Sequence, residues 1–158
     1  MTVHVLEREQ WVPRPPEATF ELFSDAFALE RITPGWLGFR VLAPRPIEMR
    51  EGALIRYALR LHGVPLGWLT RIEVWDPPRR FVDVQVEGPY REWIHTHEFS
   101  PRGTGTAIVD RVSYELPLGV LGDLARVAIV RRDLKRIFDY RQQSVAAELG
   151  AGWDRTAA

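Results

Sequence analysis

The sequence predicts an α+β domain in which a curved antiparallel sheet of about seven strands, two short helices and one long C-terminal helix enclose a cavity. Three observations carry that expectation. Alternating segments punctuated by proline and glycine fill almost eighty residues from Phe39 onward, the stretch after Pro117 changes to helical spacing, and 158 residues suffice for one sizeable core. A single domain over 1–149 is expected, followed by a short flexible tail at 150–158 rich in glycine and alanine.

Taken in order, Val3 and Val5 alternate with His4 and Leu6 in a first strand that stops at Pro13. Pro15-Pro16-Glu17 places proline and an acid where a helix starts, with Ala18, Phe20, Leu22 and Phe23 as its apolar side. Ser24-Asp25 reads as a break and a new N-cap, giving a second short helix over 27–32 that ends near Thr33-Pro34-Gly35. Strands are then expected at 38–43, 53–62, 66–75, 80–87, 91–100 and 104–116, joined by loops short enough for hairpins. Leu121, Leu124, Ala128, Leu134, Phe138, Val145 and Leu149 recur at helical spacing and mark the final helix, with Arg131, Arg132, Lys135, Arg136 and Arg141 assigned to its solvated face.

Composition removes several function classes. The 21 basic and 21 acidic side chains cancel and are scattered, so no electrostatic footprint for nucleic acid is present. Without cysteine there are no disulfides, thiolate nucleophiles or cysteine-ligated metals. The charged N-terminus lacks the apolar run of a signal peptide, and no segment reaches the ~20 apolar residues of a membrane span. A soluble, unprocessed, cytoplasmic protein, monomeric or homodimeric, is expected. Six tryptophans are many for this length and suit either a core or the wall of a binding cavity.

Register identifies the inward face, because residues opposed across an antiparallel hairpin share a sheet face. Taking Gly63-Val64 as a two-residue loop opposes Leu59 to Trp68, Tyr57 to Thr70 and Ile55 to Ile72, and puts Val74 inside. The next loops set Val74 against Phe81, Ile72 against Asp83, Thr70 against Gln85, Gln85 against Trp93, Asp83 against His95 and Phe81 against His97. The last hairpin sets His95 near Ile108 and Trp93 near Asp110. Pattern alone would instead bury Val82, Val84 and Val86. The concave face then carries Tyr57, Trp68, Thr70, Phe81, Asp83, Gln85, Trp93, His95, His97, Phe99, Asp110, Val112 and Tyr114, with Leu124 and Ala128 facing it from the helix. Each polar group left unpaired there would cost about 1–3 kcal/mol. Either these groups satisfy one another, or the interior holds a cavity.

Several strings in order along the chain carry a resemblance: Phe23-Ser24-Asp25, Trp36-Leu37-Gly38-Phe39, Trp75-Asp76-Pro77-Pro78, Gly88-Pro89-Tyr90, Trp93-x-His95-x-His97-x-Phe99 and Tyr114-Glu115-Leu116-Pro117. The sequence resembles the bacterial ligand-binding branch of the START-like (SRPBCC, helix-grip) superfamily, which includes polyketide cyclases. That resemblance implies a helix-grip fold around a hydrophobic cavity and leaves the ligand open.

His95 and His97 are the sharpest chemical feature, since alternation puts both imidazoles on one side of a strand. No metal is expected there, because the adjacent acid Glu98 points the opposite way, and no cofactor is implied. The pair either lines a pocket, with Asp83 or Asp110 fixing the tautomer of His95, or is satisfied within an ordinary core. Trp11, Trp36 and Trp75 suit core or surface packing as well as ligand contact. Two functions follow. One is binding or carriage of a lipid-like, isoprenoid or aromatic molecule; the other is a cyclase or dehydratase using His95, Asp110, Asp83 and Tyr114 for acid–base work. A weaker third is an adaptor for a partner protein.

Overall fold

The computed structural model describes residues 2–117 and 124–150. Its elements are β1 (Val3–Val12), α1 (Pro16–Ser24), α2 (Ala28–Arg31), a 3₁₀ turn (Gly35–Leu37), β2 (Arg40–Val41), β3 (Leu54–Leu61), β4 (Val64–Asp76), β5 (Arg80–Glu87), β6 (Glu92–Arg102), β7 (Gly105–Glu115) and α3 (Leu124–Leu149). All seven strands join one antiparallel sheet in the order β1-β7-β6-β5-β4-β3-β2. β2, expected over six residues, is only two residues long.

Proline at the first position, which has no N–H to leave unpaired, and Glu17 in the first turn start α1. The Asp25 carboxylate, expected as an N-cap, instead accepts the Phe27 N–H at 2.9 Å in the turn before α2, whose N-cap position is Phe27 with no side-chain cap. These helices close one end of the sheet, with Phe20 and Phe23 packed edge-on against Phe99.

Two hairpin turns differ from expectation, each by an even number of positions. The β3–β4 turn is His62-Gly63 with both residues at positive φ, 50° and 81°, the geometry of a type I′ turn, so Tyr57 rather than Leu59 opposes Trp68. The β6–β7 strands extend until Arg102 opposes Gly105, so His95 lies across from Val112 and Trp93 from Tyr114. An even shift keeps every side chain on its face. One correction does change a face. A bulge at Glu73 ends the register at Ile72–Asp83 and restarts it at Val74–Val82, so Trp75, not Val74, opposes Phe81 and enters the core.

Gly105 follows from close approach between strands. A Cβ there would lie 2.1 Å from the Val12 carbonyl oxygen, so only glycine lets β1 cross onto β7 at this point.

The helix α3 lays Leu134, Phe138 and Val145, all buried, across the concave face. Leu124, 84% exposed, and Ala128, also exposed, contradict the expectation that they face the cavity: the first turns of α3 turn them to solvent. Leu121 and 151–158 lie outside the described residues. Gly150, expected to begin a loose tail, is buried and donates to the Ala146 carbonyl at 2.7 Å. Among the described residues no helix is long and apolar enough to cross a membrane.

Candidate functional site

Between sheet and helix lies a cavity of about 160 Å³. Strand alternation delivers Tyr57 from β3, Trp68 and Thr70 from β4, Phe81 and Asp83 from β5, and Trp93, His95 and His97 from β6 to its wall, as expected. Asp83 sits directly opposite His95, and Phe81 opposite His97. Phe23 and Leu29 close one end, Trp68, Tyr90 and Trp93 pack together at the other, and Leu134, Ile137, Phe138 and Arg141 form the roof.

Five expected ligand contacts stand elsewhere. Gln85 spends its amide on Tyr90, donating to the carbonyl at 2.7 Å and accepting the N–H at 3.2 Å, and so braces the β5–β6 turn. Phe99 and Val112 are core residues. Tyr114 is not among the lining residues; it stands behind Tyr90 and Trp93, 5.7 and 6.2 Å between centroids, and packs on the His4 ring at 5.2 Å. Asp110 lies behind the histidines and does not itself line the cavity.

The tryptophans left open by the sequence divide cleanly. Trp11 donates to the Arg102 carbonyl at 3.0 Å near the surface, Trp36 is 42% exposed with the Arg136 guanidinium over its ring, and Trp75 packs on Phe20.

The histidines sit in a sandwich of carboxylates. His97 Nε2 lies 2.9 Å from Asp83 Oδ2 and its Nδ1 lies 2.8 Å from Asp110 Oδ1. His95 Nε2 lies 3.3 Å from Asp110 Oδ1 and its Nδ1 3.8 Å from Asp83 Oδ2. The Asp83–His97 contact is an aligned hydrogen bond, whereas the contacts to Asp110 are off-axis and hold mainly by charge. The two imidazole centroids are 3.8 Å apart, Phe81 stacks on His97 at 4.1 Å, and Phe138 meets His95 edge-on at 5.5 Å.

Charge in this setting is set by competition between burial and neighbours. Burial opposes protonation of His97, but Asp110 and Asp83 outweigh it and hold the imidazole above its usual range. At His95, burial and the nearby His97 charge push the ring below that range and keep it neutral. Burial would raise both aspartates, yet the histidines hold Asp83 and Asp110 below the ordinary carboxylate range. Burial lifts the Tyr57 hydroxyl well above its ordinary value, with Asp83 adding to the effect.

Arg141 lines the cavity roof, whereas the sequence reading assigns it to the solvated face of the helix. Its Nε has no hydrogen-bond partner among the described residues, and burial lowers its affinity for its proton against the pull of Asp110 and Asp83. With Asp83 and Asp110 negative and His97 and Arg141 positive, the group is neutral overall.

A family model described as "Polyketide cyclase / dehydrase and lipid transport" matches residues 12–139. The chain belongs to this family. Among solved structures similar to this member of the polyketide cyclase/dehydrase and lipid transport family is TTHA0849 from Thermus thermophilus, 26% identical, covering 92% of this chain and 99% of that one, with a TM-score of 0.67. The Zhui aromatase/cyclase from Streptomyces sp. R1128 has a TM-score of 0.74 at 16% identity, covering 98% of each chain. The ginseng major latex-like protein 151 from Panax ginseng has a TM-score of 0.67 at 13% identity, covering 93% and 97%. These last two likenesses establish the fold, a helix-grip arrangement, and nothing about ligand. Among curated proteins, none matches the sequence.

Proposed function

We propose that the protein binds and carries a compact hydrophobic molecule in the cavity under α3, with one polar oxygen of that molecule set against Arg141. The observation that carries this reading is an apolar cavity of about 160 Å³ with an unpartnered guanidinium Nε in its roof. A dry cavity of ~150 Å³ takes up benzene, so the volume suits one ring or a short branched chain. Aromatic walls with few convergent polar groups are the usual makeup of such pockets. The family's description, covering both lipid transport and cyclisation, supports this class of ligand.

Mass spectrometry of small molecules extracted from purified protein is expected to show a bound organic compound. In parallel, p-cresol is expected to raise the melting temperature more than toluene, which has the same shape without the oxygen. Leu59→Trp, which fills the cavity from β3, is expected to abolish both effects while leaving the fold intact by circular dichroism. Equal shifts from both compounds in the wild type and in Leu59→Trp would rule out the cavity as the site.

A second reading has its own supporting observation: neutral His95 lies on the cavity wall and is competent as a general base for enolising a carbonyl compound. On that reading the extracted compound is converted to a new mass by wild-type protein and survives unchanged with His95→Ala. Equal conversion by both proteins, or by neither, leaves carriage as the function.

A further inference from the structure

We propose that Asp83, His95 and His97 form a site for one divalent transition ion of the zinc class, with Asp110 as its supporting carboxylate. One donor atom from each of the three residues lies within 4.8 Å of the others, with Asp83 Oδ2 at 2.9 Å from His97 Nε2 and 3.8 Å from His95 Nδ1. Zinc bonds of about 2.0–2.2 Å in tetrahedral geometry put donors about 3.3 Å apart, a spacing these two distances bracket. The third separation, between the two imidazole nitrogens, is within 4.8 Å, so rotation of the rings and of the Asp83 carboxylate would bring the three atoms onto a common ion.

The stronger observation is on the far side of the rings. A ligating histidine needs its other nitrogen held by an acceptor, so that the tautomer and ring orientation are fixed. Here one carboxylate oxygen, Asp110 Oδ1, faces the far nitrogen of both rings, Nδ1 of His97 and Nε2 of His95. With an ion on the Asp83 side, Asp110 Oδ1, 2.8 Å from His97 Nδ1 and 3.3 Å from His95 Nε2, would turn to accept the far N–H groups, while Asp83 and the near nitrogens hold the metal.

The scaffold suits the task. The three donors come from paired positions on β5 and β6, Asp110 lies opposite His97 on β7, and Phe81 and Phe138 pack the rings from either side. Asp83, His95 and His97 line the cavity and Asp110 does not, so the open coordination position faces the cavity. A water or the oxygen of a bound molecule would fill it, as in three-ligand zinc sites. Two carboxylates balance the ion, and Arg141 beside them favours an anionic oxygen as the fourth ligand. The sequence argument against a metal was that Glu98 points away from the histidines. On this proposal the carboxylate comes instead from the neighbouring strand β5.

The test uses the full chain with any affinity tag removed, stripped with a chelator and titrated with Co²⁺ and Zn²⁺. One Co²⁺ per chain is expected, with the visible absorption of a four- or five-coordinate ion, displaced by Zn²⁺. Asp83→Asn and His97→Gln should abolish it, Asp110→Asn should weaken affinity by roughly 10–100-fold at unchanged stoichiometry, and His62→Gln should change nothing. Where a variant fails to fold, histidine ¹⁵N resonances of the wild type decide the matter. Zn²⁺ should shift His95 Nδ1 and His97 Nε2 and leave His4 and His62 in place. No stoichiometric Co²⁺ spectrum, undiminished binding in Asp83→Asn or His97→Gln, or shifts confined to His4 and His62 would each overturn the proposal.

Discussion

Replacing His97 with leucine is expected to lower the free energy of unfolding by about 3–5 kcal/mol, read as a fall in the urea midpoint at unchanged slope. The imidazole bridges two acids, 2.9 Å from Asp83 and 2.8 Å from Asp110; His97 and Asp110 are buried and Asp83 is half-buried. Leucine keeps much of the apolar contact with Phe81 and Phe23 but removes the charge between the carboxylates. Two acids are then left with His95, which loses the opposing charge of His97, and with Arg141 acting only through space. Combining His97→Leu with Asp110→Asn should restore at least half of the loss, because the second change removes one stranded charge. A double variant no more stable than the single one would assign the loss to packing. A single-variant loss under about 1 kcal/mol would show that the bridge contributes little.

Most of the fold and the sheet half of the site were legible because they depend on a period of two. Phe81 and Asp83 face inward against the pull of Val82, Val84 and Val86, and register propagated through hairpins found this where hydrophobicity would not. Misplaced turns did no harm: His62 adopts a left-handed conformation that nothing in its neighbours announces, yet moving the turn by one residue slides the pairing by two. The bulge at Glu73 was invisible because it adds one residue within a strand of otherwise regular alternation, and it exchanged Trp75 for Val74.

The helix half was read less well for a different reason. Helical periodicity drawn through Leu124 and Ala128 picks the wrong side of the first turns of α3, where Val127 and Val130 pack on the core and Leu124 and Ala128 face solvent. Arg141 was grouped with its charged neighbours by type. Its position was nevertheless in plain view: Leu134, Phe138, Arg141 and Val145 follow one another at intervals of four, three and four, which puts the guanidinium on the buried stripe.

That placement makes Arg141→Met the sharpest separation of folding from function. Stability is expected to stay level or rise, since burial already disfavours the guanidinium charge more than Asp110 and Asp83 support it, and methionine fills similar space without a charge to desolvate. Ligand binding should move the other way. A hydrogen bond from a charged donor is worth about 1.5–3 kcal/mol, so affinity for p-cresol should fall by roughly 10–150-fold while toluene binds as before. Arg141→Lys keeps the charge but loses the planar fork and should fall between the two. A calorimetric titration giving the same affinity for p-cresol in wild type and Arg141→Met would make the guanidinium a counter-charge for the buried aspartates alone. In that case the same methionine should destabilise the protein, so the two roles predict opposite signs in one variant.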